Sequence, residues 1–234
     1  MRLIFFFLAI TFFGSLHAQN LQGSMGLLNI PSAELNPDKT LVISGSYLSK
    51  NYLSYGDYTY DSWTGNVNLT FLPFIELSFR YTGQVREISR ENNNFPNRSP
   101  GAKIRLHKES KLIPTISLGI FDFTSVAGGG SRFFGSEYVV MTKNFNLGQV
   151  INLSSTLGYG FDILPAKFKE QEGFFYGFVA QVKNIPQVAL LVDYDSRYWN
   201  TGIRLNLFNH LQILGVLREF KTLEGALSYR IQLK

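Results

Sequence analysis

The chain has 234 residues, no cysteine, 17% charged residues and a formal net charge of +5. These values exclude a disulfide scaffold and thiolate metal sites, and a hydrophobic content of 45% excludes a disordered chain. The positive balance is mild and gives no reason to expect nucleic acid as a partner.

The chain begins with an export signature. Met1-Arg2 is a short positive start, Leu3 to Phe13 is an almost unbroken apolar run, and Gly14, Ser15 and Ala18 supply small residues before Gln19. This layout predicts a secretory signal peptide over residues 1–18, cleaved after Ala18. The run is too short for a transmembrane helix, which needs about 20 apolar residues. No Cys follows it, so no lipid anchor is expected on this signal. Loss of Arg2 leaves 21 basic and 17 acidic side chains. Residues 19–39 come next, and the pattern leaves two placements open for them: a periplasmic lead or a plug inserted in the following domain, residues 40–234.

From residue 40 onward, alternation with period two dominates and no long helical period is sustained. In 64–72, Val67, Leu69 and Phe71 share one face, with Asn66, Asn68 and Thr70 on the other. In 74–82, Ile75, Leu77, Phe79 and Tyr81 alternate with Glu76, Ser78, Arg80 and Thr82. Further strands are predicted at 40–48, 99–107, 113–121, 134–143, 150–161, 174–183, 187–194, 199–207 and 210–219. A last strand carries Leu223, Leu227, Tyr229, Ile231 and Leu233 against Glu224, Ser228, Arg230 and Gln232. Soluble strands average about 5–6 residues, whereas a tilted strand crossing a bilayer needs about 9–11. The lengths therefore predict an all-β fold, an antiparallel transmembrane β-barrel of about twelve strands.

The connections alternate in length as they do in outer-membrane barrels, with short periplasmic turns and longer outer loops. Residues 49–63, 83–98, 122–133 and 162–173 are long. Pro73, Lys108–Leu112, Asn144–Gln149 and Asn184–Pro186 are short. Asp195–Tyr198 and Phe220–Thr222 depart from the alternation, being short where outer loops are expected. Aromatic residues reach 15%. Tyr47, Tyr52, Tyr55, Tyr81, Tyr138, Tyr159, Tyr176, Tyr194, Tyr198 and Trp199 fall at or near predicted strand ends, where aromatic girdles sit.

Catalytic constellations are scarce. After the signal the only histidines are His107 and His210, and neither a metal-binding H-E-x-x-H nor a serine elbow is present. His107 is the sole starting point for an enzyme reading, so the expected answer is no enzyme. Gly128-Gly129-Gly130-Ser131 lacks the Lys and the following helix of a phosphate loop and reads as an outer loop. Asp57 and Asp61 are too few oxygens for calcium, so no metal and no cofactor is expected. The polar faces are more informative. If the apolar faces meet lipid, Glu76, Arg80, Lys103, Arg105, Arg204, Glu224 and Arg230 point into the lumen, because Arg or Lys facing mid-membrane lipid costs about 2–4 kcal/mol. Cations outnumber acids in this set. One reading is a lumen that holds or passes an anionic polymer. The other is a closed interior in which these groups pair with Glu76 and Glu224. Leu214 and Val216 blur the pattern by sharing the inward face with Gln212 and Arg218.

Several stretches carry a family resemblance. They are Gly26-Leu27-Leu28-Asn29-Ile30-Pro31-Ser32-Ala33, Arg80-Tyr81-Thr82, and Gly101 to Ser110 with Lys103 in it. Ile113-Pro114, then Leu118-Gly119-Ile120-Phe121-Asp122-Phe123, then Phe134 to Val140 with Glu137 and Tyr138, Lys143, and Gly158-Tyr159-Gly160 continue the series. In order and spacing they resemble the YjbH family of exopolysaccharide-associated outer-membrane proteins, related to the capsule protein GfcD. The resemblance implies an envelope role for which Gly26, Pro31, Lys103, Pro114, Gly119, Asp122, Glu137 and Tyr138 are the motif positions.

The expectation is a non-enzymatic barrel in the outer membrane of a Gram-negative bacterium, assisting exopolysaccharide or capsule secretion or surface assembly. Outer-membrane lipid, an anionic polysaccharide and other envelope secretion proteins are the expected partners. The alternatives are a closed structural barrel anchoring an envelope complex, and an outer-membrane enzyme acting on lipid or polysaccharide.

Overall fold

The structure, a computed structural model, describes residues 18–50, 61–84, 97–123 and 134–234. The signal segment before Ala18, together with Tyr52, Tyr55, Asp57 and the Gly128–Ser131 stretch, lies outside the described residues.

Thirteen strands occur among the described residues: β1 (Thr40–Leu48), β2 (Ser62–Leu72), β3 (Ile75–Gln84), β4 (Asn97–His107), β5 (Thr115–Phe121), β6 (Phe134–Leu147), β7 (Ile151–Phe161), β8 (Phe168–Lys169), β9 (Gly173–Val182), β10 (Val188–Tyr194), β11 (Trp199–Leu207), β12 (Leu211–Arg218) and β13 (Thr222–Gln232). Twelve of them form one antiparallel sheet in chain order, with β7 pairing β9 directly. β1 pairs β13 from Thr40↔Gln232 to Tyr47↔Gly225, which closes the sheet into a barrel and leaves no open edge. The predicted strands are all present. β6 runs four residues past its predicted end, to Leu147, so the turn before β7 is shorter than expected.

The barrel is inside-out relative to a soluble β-domain. Its interior wall carries buried Ser44, Ser46, Thr64, Asn66, Asn68, Ser117, Thr142 and Thr156. Every one of its twelve strands carries a large apolar side chain exposed on the outer surface. Examples in chain order are Ile43, Val67, Phe79, Ile104, Leu118, Met141, Leu157, Phe178, Leu190, Ile203, Ile213 and Leu227. At the end of the barrel that bears the long loops, aromatic rings ring the outside. Trp63 and Tyr81 lie 5.3 Å apart, and Tyr176, Tyr194 and Trp199 form a triangle with centroid separations of 5.4–5.5 Å. Tyr138 does not belong to this girdle. It is buried on the inner wall, edge-on to Phe175.

The two ends of the barrel differ. At the turn end, Phe208 and Asn209 both have positive φ and His210 N–H donates to the Leu207 carbonyl, a type I′ hairpin. The same turn recurs at the loop end with Glu219 (φ 49°) and Phe220 (φ 59°), residues for which the left-handed region is unfavourable. Replacing the pair by Asn-Gly is expected to stabilise the barrel by about 1 kcal/mol, read as a raised urea midpoint in detergent.

The turn between β4 and β5 is held by Glu109. Its carboxylate pairs with Lys143 at 3.0 Å and accepts from the Asn144 backbone and side chain. Partial burial pushes the Glu109 carboxyl up, but the hydrogen bonds from Lys143 and Asn144 outweigh it and hold the group below its ordinary range. A carboxyl depressed in the folded state contributes stability above its unfolded pKa of about 4.3, and that contribution is lost as pH falls through the folded value. Glu109→Gln is therefore expected to cost less than about 1 kcal/mol at pH 7, and nothing once pH has fallen below the folded value, in paired urea titrations.

Residues 18–36 occupy the inside of the barrel. Ala18, Leu21, Met25, Leu27, Leu28, Ile30 and Ala33 are each no more than 2% exposed. The segment rises from the turn end, turns over at Leu27–Ile30 through a Leu27 N–H to Ile30 carbonyl bond, and descends to β1. The Gly26↔Pro31 bridge joins its two limbs, and Gln19↔Met25 closes a turn within the rising one. A Cβ on Gly26 would stand 2.2 Å from the Ile30 carbonyl, so only glycine permits this crossing. The inner wall makes room for the plug at its tip: Leu27 packs over Gly177 and Leu28 over Gly202, each leucine methyl 2.6 Å from where a Cβ would lie.

The loop between β7 and β9 also turns inward. β8 pairs in parallel with the start of β6, and Lys169, Glu170 and Gln171 are buried behind it. This segment reads from the sequence as an outer loop; here it folds back over the plug.

Candidate functional site: the plugged lumen and its cavity

The tip of the plug is fixed by one carboxylate. Asp193 Oδ2, on the inner wall of β10, accepts the backbone N–H groups of Leu28 (3.0 Å), Asn29 (2.8 Å) and Ile30 (3.3 Å). Its Oδ1 accepts from Asn200 at 2.9 Å. Asn29 donates its side-chain amide to Asp195 at 2.6 Å, and Gln171 from the inward loop donates to the Asn29 carbonyl. Below the tip, Arg204 Nη2 donates to the Gly26 and Leu27 carbonyls, both at 2.8 Å. Lys103 Nζ donates to the Met25 and Ser32 carbonyls. Gln212 and Gln19 bond each other through the Gln19 backbone N–H and carbonyl. Ser117 and Thr142 bond the Ala33 carbonyl and N–H.

Of the seven charged residues expected on the inward face, five are fully buried there: Glu76, Arg80, Lys103, Arg204 and Glu224. Arg105 and Arg230 are only half-buried, because they stand at the turn end where the wall meets solvent. The interior does not carry the cation surplus inferred from those seven. Among the described residues, buried acids (Glu76, Asp122, Glu137, Glu170, Asp193, Asp195, Glu224) outnumber buried cations (Arg80, Lys103, Lys169, Arg204, Arg218). The additional acids are Asp122 after β5, Glu137 on β6, Glu170 in the inward loop, and Asp193 and Asp195, at what reads as a strand end and turn.

These charges are paired. Lys103 meets Glu76 at 3.2 Å, and Arg80 meets Glu170 at 2.6 Å between the faces of Phe121 and Phe134. Lys169 meets Glu137 at 3.3 Å, and Arg218 bridges Asp195 and Glu224, both at 3.1 Å. Buried pairs of this kind contribute modest net stability but specify position, since breaking one strands a charge. Leu214 and Val216, anomalous by alternation, face inward because the plug offers them Leu21, Leu28 and Ile30 in a common apolar cluster.

The family-motif positions fall along this contact. Gly26 and Pro31 form the plug crossing, Lys103 grips it, and Glu137 holds the inward loop through Lys169. Asp122, at 0% exposure and positive φ, donates its N–H to the Pro100 carbonyl. The Pro114 carbonyl accepts from His107 Nδ1 at 3.1 Å, so His107 is engaged with a backbone carbonyl in the β4–β5 turn. Gly119 faces Tyr138 across the ladder, and a Cβ there would lie 2.2 Å from the phenol ring. Gly119→Ala is expected to cost about 2 kcal/mol, and pairing it with Tyr138→Leu to recover part of that loss, in a double-mutant cycle of urea unfolding.

A cavity lies beside the plug. It holds about 520 Å³ at the turn end, between the descending limb (Glu34 to Asp38) and the wall of β6, β7, β9 and β11. Its lining is mixed: Asn36, Asn144, Asn146, Asn152, Ser154 and Gln181, with Arg105, Lys108 and Arg204, lie beside Leu27, Leu35, Leu153 and Val179. Among the described residues, no group of three or more potential metal ligands occurs.

A closed twelve-stranded barrel whose lumen is filled by its own N-terminal segment defines the class of this protein: a plugged β-barrel. The family model described as exopolysaccharide biosynthesis protein YbjH matches residues 18–173, and the chain belongs to the YjbH family. The match takes in the plug and β1 to β8. Strands β9 to β13 lie beyond it and supply Asp193, Asp195, Arg204, Arg218 and Glu224. A comparison with curated proteins finds no match.

Proposed function

We propose that the protein is an integral, non-enzymatic barrel of the outer membrane that assists the secretion or surface assembly of exopolysaccharide. The observation that carries the membrane assignment is the inside-out barrel. Exposed large apolar side chains recur on all twelve strands and form a continuous outer band of a kind that soluble monomers rarely expose. In a bilayer the same band is favourable, and the closed sheet satisfies its own backbone. The family supports the exopolysaccharide role. In this reading residues 1–18 are cleaved on export so that the mature plug starts at Gln19, the turn end faces the periplasm and the long loops face outward.

Two experiments test it. The protein is expected in the outer-membrane fraction, with an unboiled band that runs faster than the boiled one; recovery as a soluble periplasmic protein without a mobility shift refutes the barrel insertion. Deletion is expected to reduce surface polymer, and unchanged polymer export refutes the role.

A second reading, a closed barrel that anchors an envelope complex and conducts nothing, is favoured by the plug's bonds to the wall on many sides. Planar-bilayer recording separates the two: a large steady conductance speaks against a closed barrel. The enzyme reading starts only from His107, whose ring is engaged with the Pro114 carbonyl; full complementation by His107→Ala removes it.

A further inference from the structure

Cleavage after Ala18 makes Gln19 the first residue of the plug, and the lumen around Gln19 is built for an uncharged end. Gln19 is 2% exposed. Its backbone N–H donates to Gln212 Oε1 at 3.0 Å, and its carbonyl accepts from Gln212 Nε2 at 2.8 Å. Gln212 is itself buried on the inner wall of β12. Among the described residues these are the hydrogen bonds that Gln19 makes, and neither reaches a carboxylate.

A free α-amine at this position fits poorly. It carries a positive charge at neutral pH and more N–H donors than the single acceptor Gln212 Oε1 can satisfy. An unpaired charge in a buried site is strongly unfavourable. Cleavage also removes the Ala18 carbonyl, which accepts the Gly26 N–H at 3.0 Å within the Gln19↔Met25 bridge. An ammonium offers no acceptor in its place.

The Gln19 side chain supplies what is missing. Its Oε1 and Nε2 are both buried, and neither has a hydrogen-bond partner, a state that native structures avoid. In an N-terminal glutamine the amide carbon lies within reach of the α-nitrogen of the same residue, and a bond between them closes a five-membered lactam.

We propose that the mature chain begins with pyroglutamate formed from Gln19. The unprotonated α-nitrogen attacks Cδ of the side-chain amide. The N–Cδ bond forms, the Cδ–Nε2 bond breaks, and the proton lost by the α-nitrogen leaves with Nε2 as ammonia. No oxidant, reductant or co-substrate enters. The product is neutral, which changes the terminus from a charge into an ordinary amide. Its one lactam N–H matches the one acceptor, Gln212 Oε1. Its ring carbonyl is an acceptor on the same nitrogen that bore the Ala18 carbonyl, and the unpartnered primary amide is gone. Gln19 is enclosed once β1 has paired with β13, so the ring closes on the exported chain before the barrel does. The proposal rests on cleavage after Ala18 and is independent of any role in polymer export.

The experiment is mass spectrometry of the N-terminal peptide of the barrel purified from its membrane in mild detergent. Free amines are dimethylated before digestion, so that a free Gln19 is tagged and cannot cyclise in handling. The expected peptide starts at position 19, is untagged, and is lighter by one ammonia than its unmodified sequence. A tagged Gln19 overturns the modification and leaves the cleavage reading standing. A peptide that starts at another residue overturns the cleavage and the proposal with it. Gln19→Asn, whose shorter side chain cannot close a five-membered ring, is expected to be fully tagged. It is also expected to unfold at a lower urea midpoint than the wild type, with the gel shift on boiling retained to show an intact barrel. An untagged Gln19→Asn chain shows that another acyl group blocks the terminus and overturns the lactam. A midpoint equal to that of the wild type overturns the claim that the lumen requires an uncharged end.

Discussion

Replacing Asp193 by alanine is expected to release the tip of the plug and to convert a quiet barrel into one that opens. Three consecutive backbone N–H groups lose their acceptor together, and the Asn200 amide keeps only Asp195 and the Tyr198 carbonyl. None of them has water at hand, since Leu28, Ile30 and Asn200 are 0% exposed. Each stranded donor costs about 1–3 kcal/mol, and the loss is expected to reach about 3–5 kcal/mol because the donors are freed as a group. The measurement is twofold: a lowered urea midpoint, and steps of ionic current in planar bilayers that the wild type does not show. Asp193→Asn keeps one acceptor and is expected to fall between the two. An alanine variant as stable and as quiet as the wild type would show that the plug is held by its apolar cluster alone.

The second large effect is expected at Arg218. Its guanidinium is the shared partner of Asp195 and Glu224, and all three are at most 4% exposed. Arg218→Ala leaves two buried carboxylates facing each other and is expected to cost about 3–5 kcal/mol. Removing the stranded charges as well, in Arg218→Met combined with Asp195→Asn and Glu224→Gln, is expected to restore most of that loss, because a desolvated ion pair adds little over a neutral polar or apolar set of similar volume. Unfolding midpoints of the single and triple variants decide this. A triple variant no better than Arg218→Ala would mean that the cluster acts through geometry, for instance through the Ser49 bonds to Glu224, more than through charge.

The barrel was legible in the sequence because a period of two is written twice, once as apolar residues outside and once as polar residues inside. Val67 and Asn68 or Phe79 and Arg80 announce their faces without reference to anything else in the chain. The plug was not legible in the same way. Leu21, Leu27, Leu28 and Ile30 form no regular element, so nothing local distinguishes a lead that trails outside from a segment packed within. The clue lay on the partner surface: Leu214 and Val216 break the polar inner face, and Gly177 and Gly202 hollow it where two leucines need space. Tyr138 was misread for a related reason. A tyrosine near a strand end fits a girdle, and only the cross-strand pairing with Gly119 shows that it lies across the inner wall. The acids that balance the lumen were missed because Asp193 and Asp195 look like ordinary turn residues, and because a loop that folds inward carries no alternation to read.

The plug is the first part of the folded protein in chain order, yet its partners are spread to the far end of the sequence. Gln19 meets Gln212, 193 residues away, while Leu21 meets Ser46 only 25 residues on. The seam that closes the cylinder joins β1 to β13, the last strand to be made. A closed wall offers no side entrance, and the plug is bonded to the wall on both sides of the seam. The sheet is therefore best assembled by rolling it around a segment already lying across it, as a sheet is wound on a mandrel, with the β1–β13 seam the final step. Such an order ties the rate of closure to contacts of very long sequence separation, which makes it slow. It also gives the N-terminal segment a role in construction, distinct from whatever it does once the cylinder is complete.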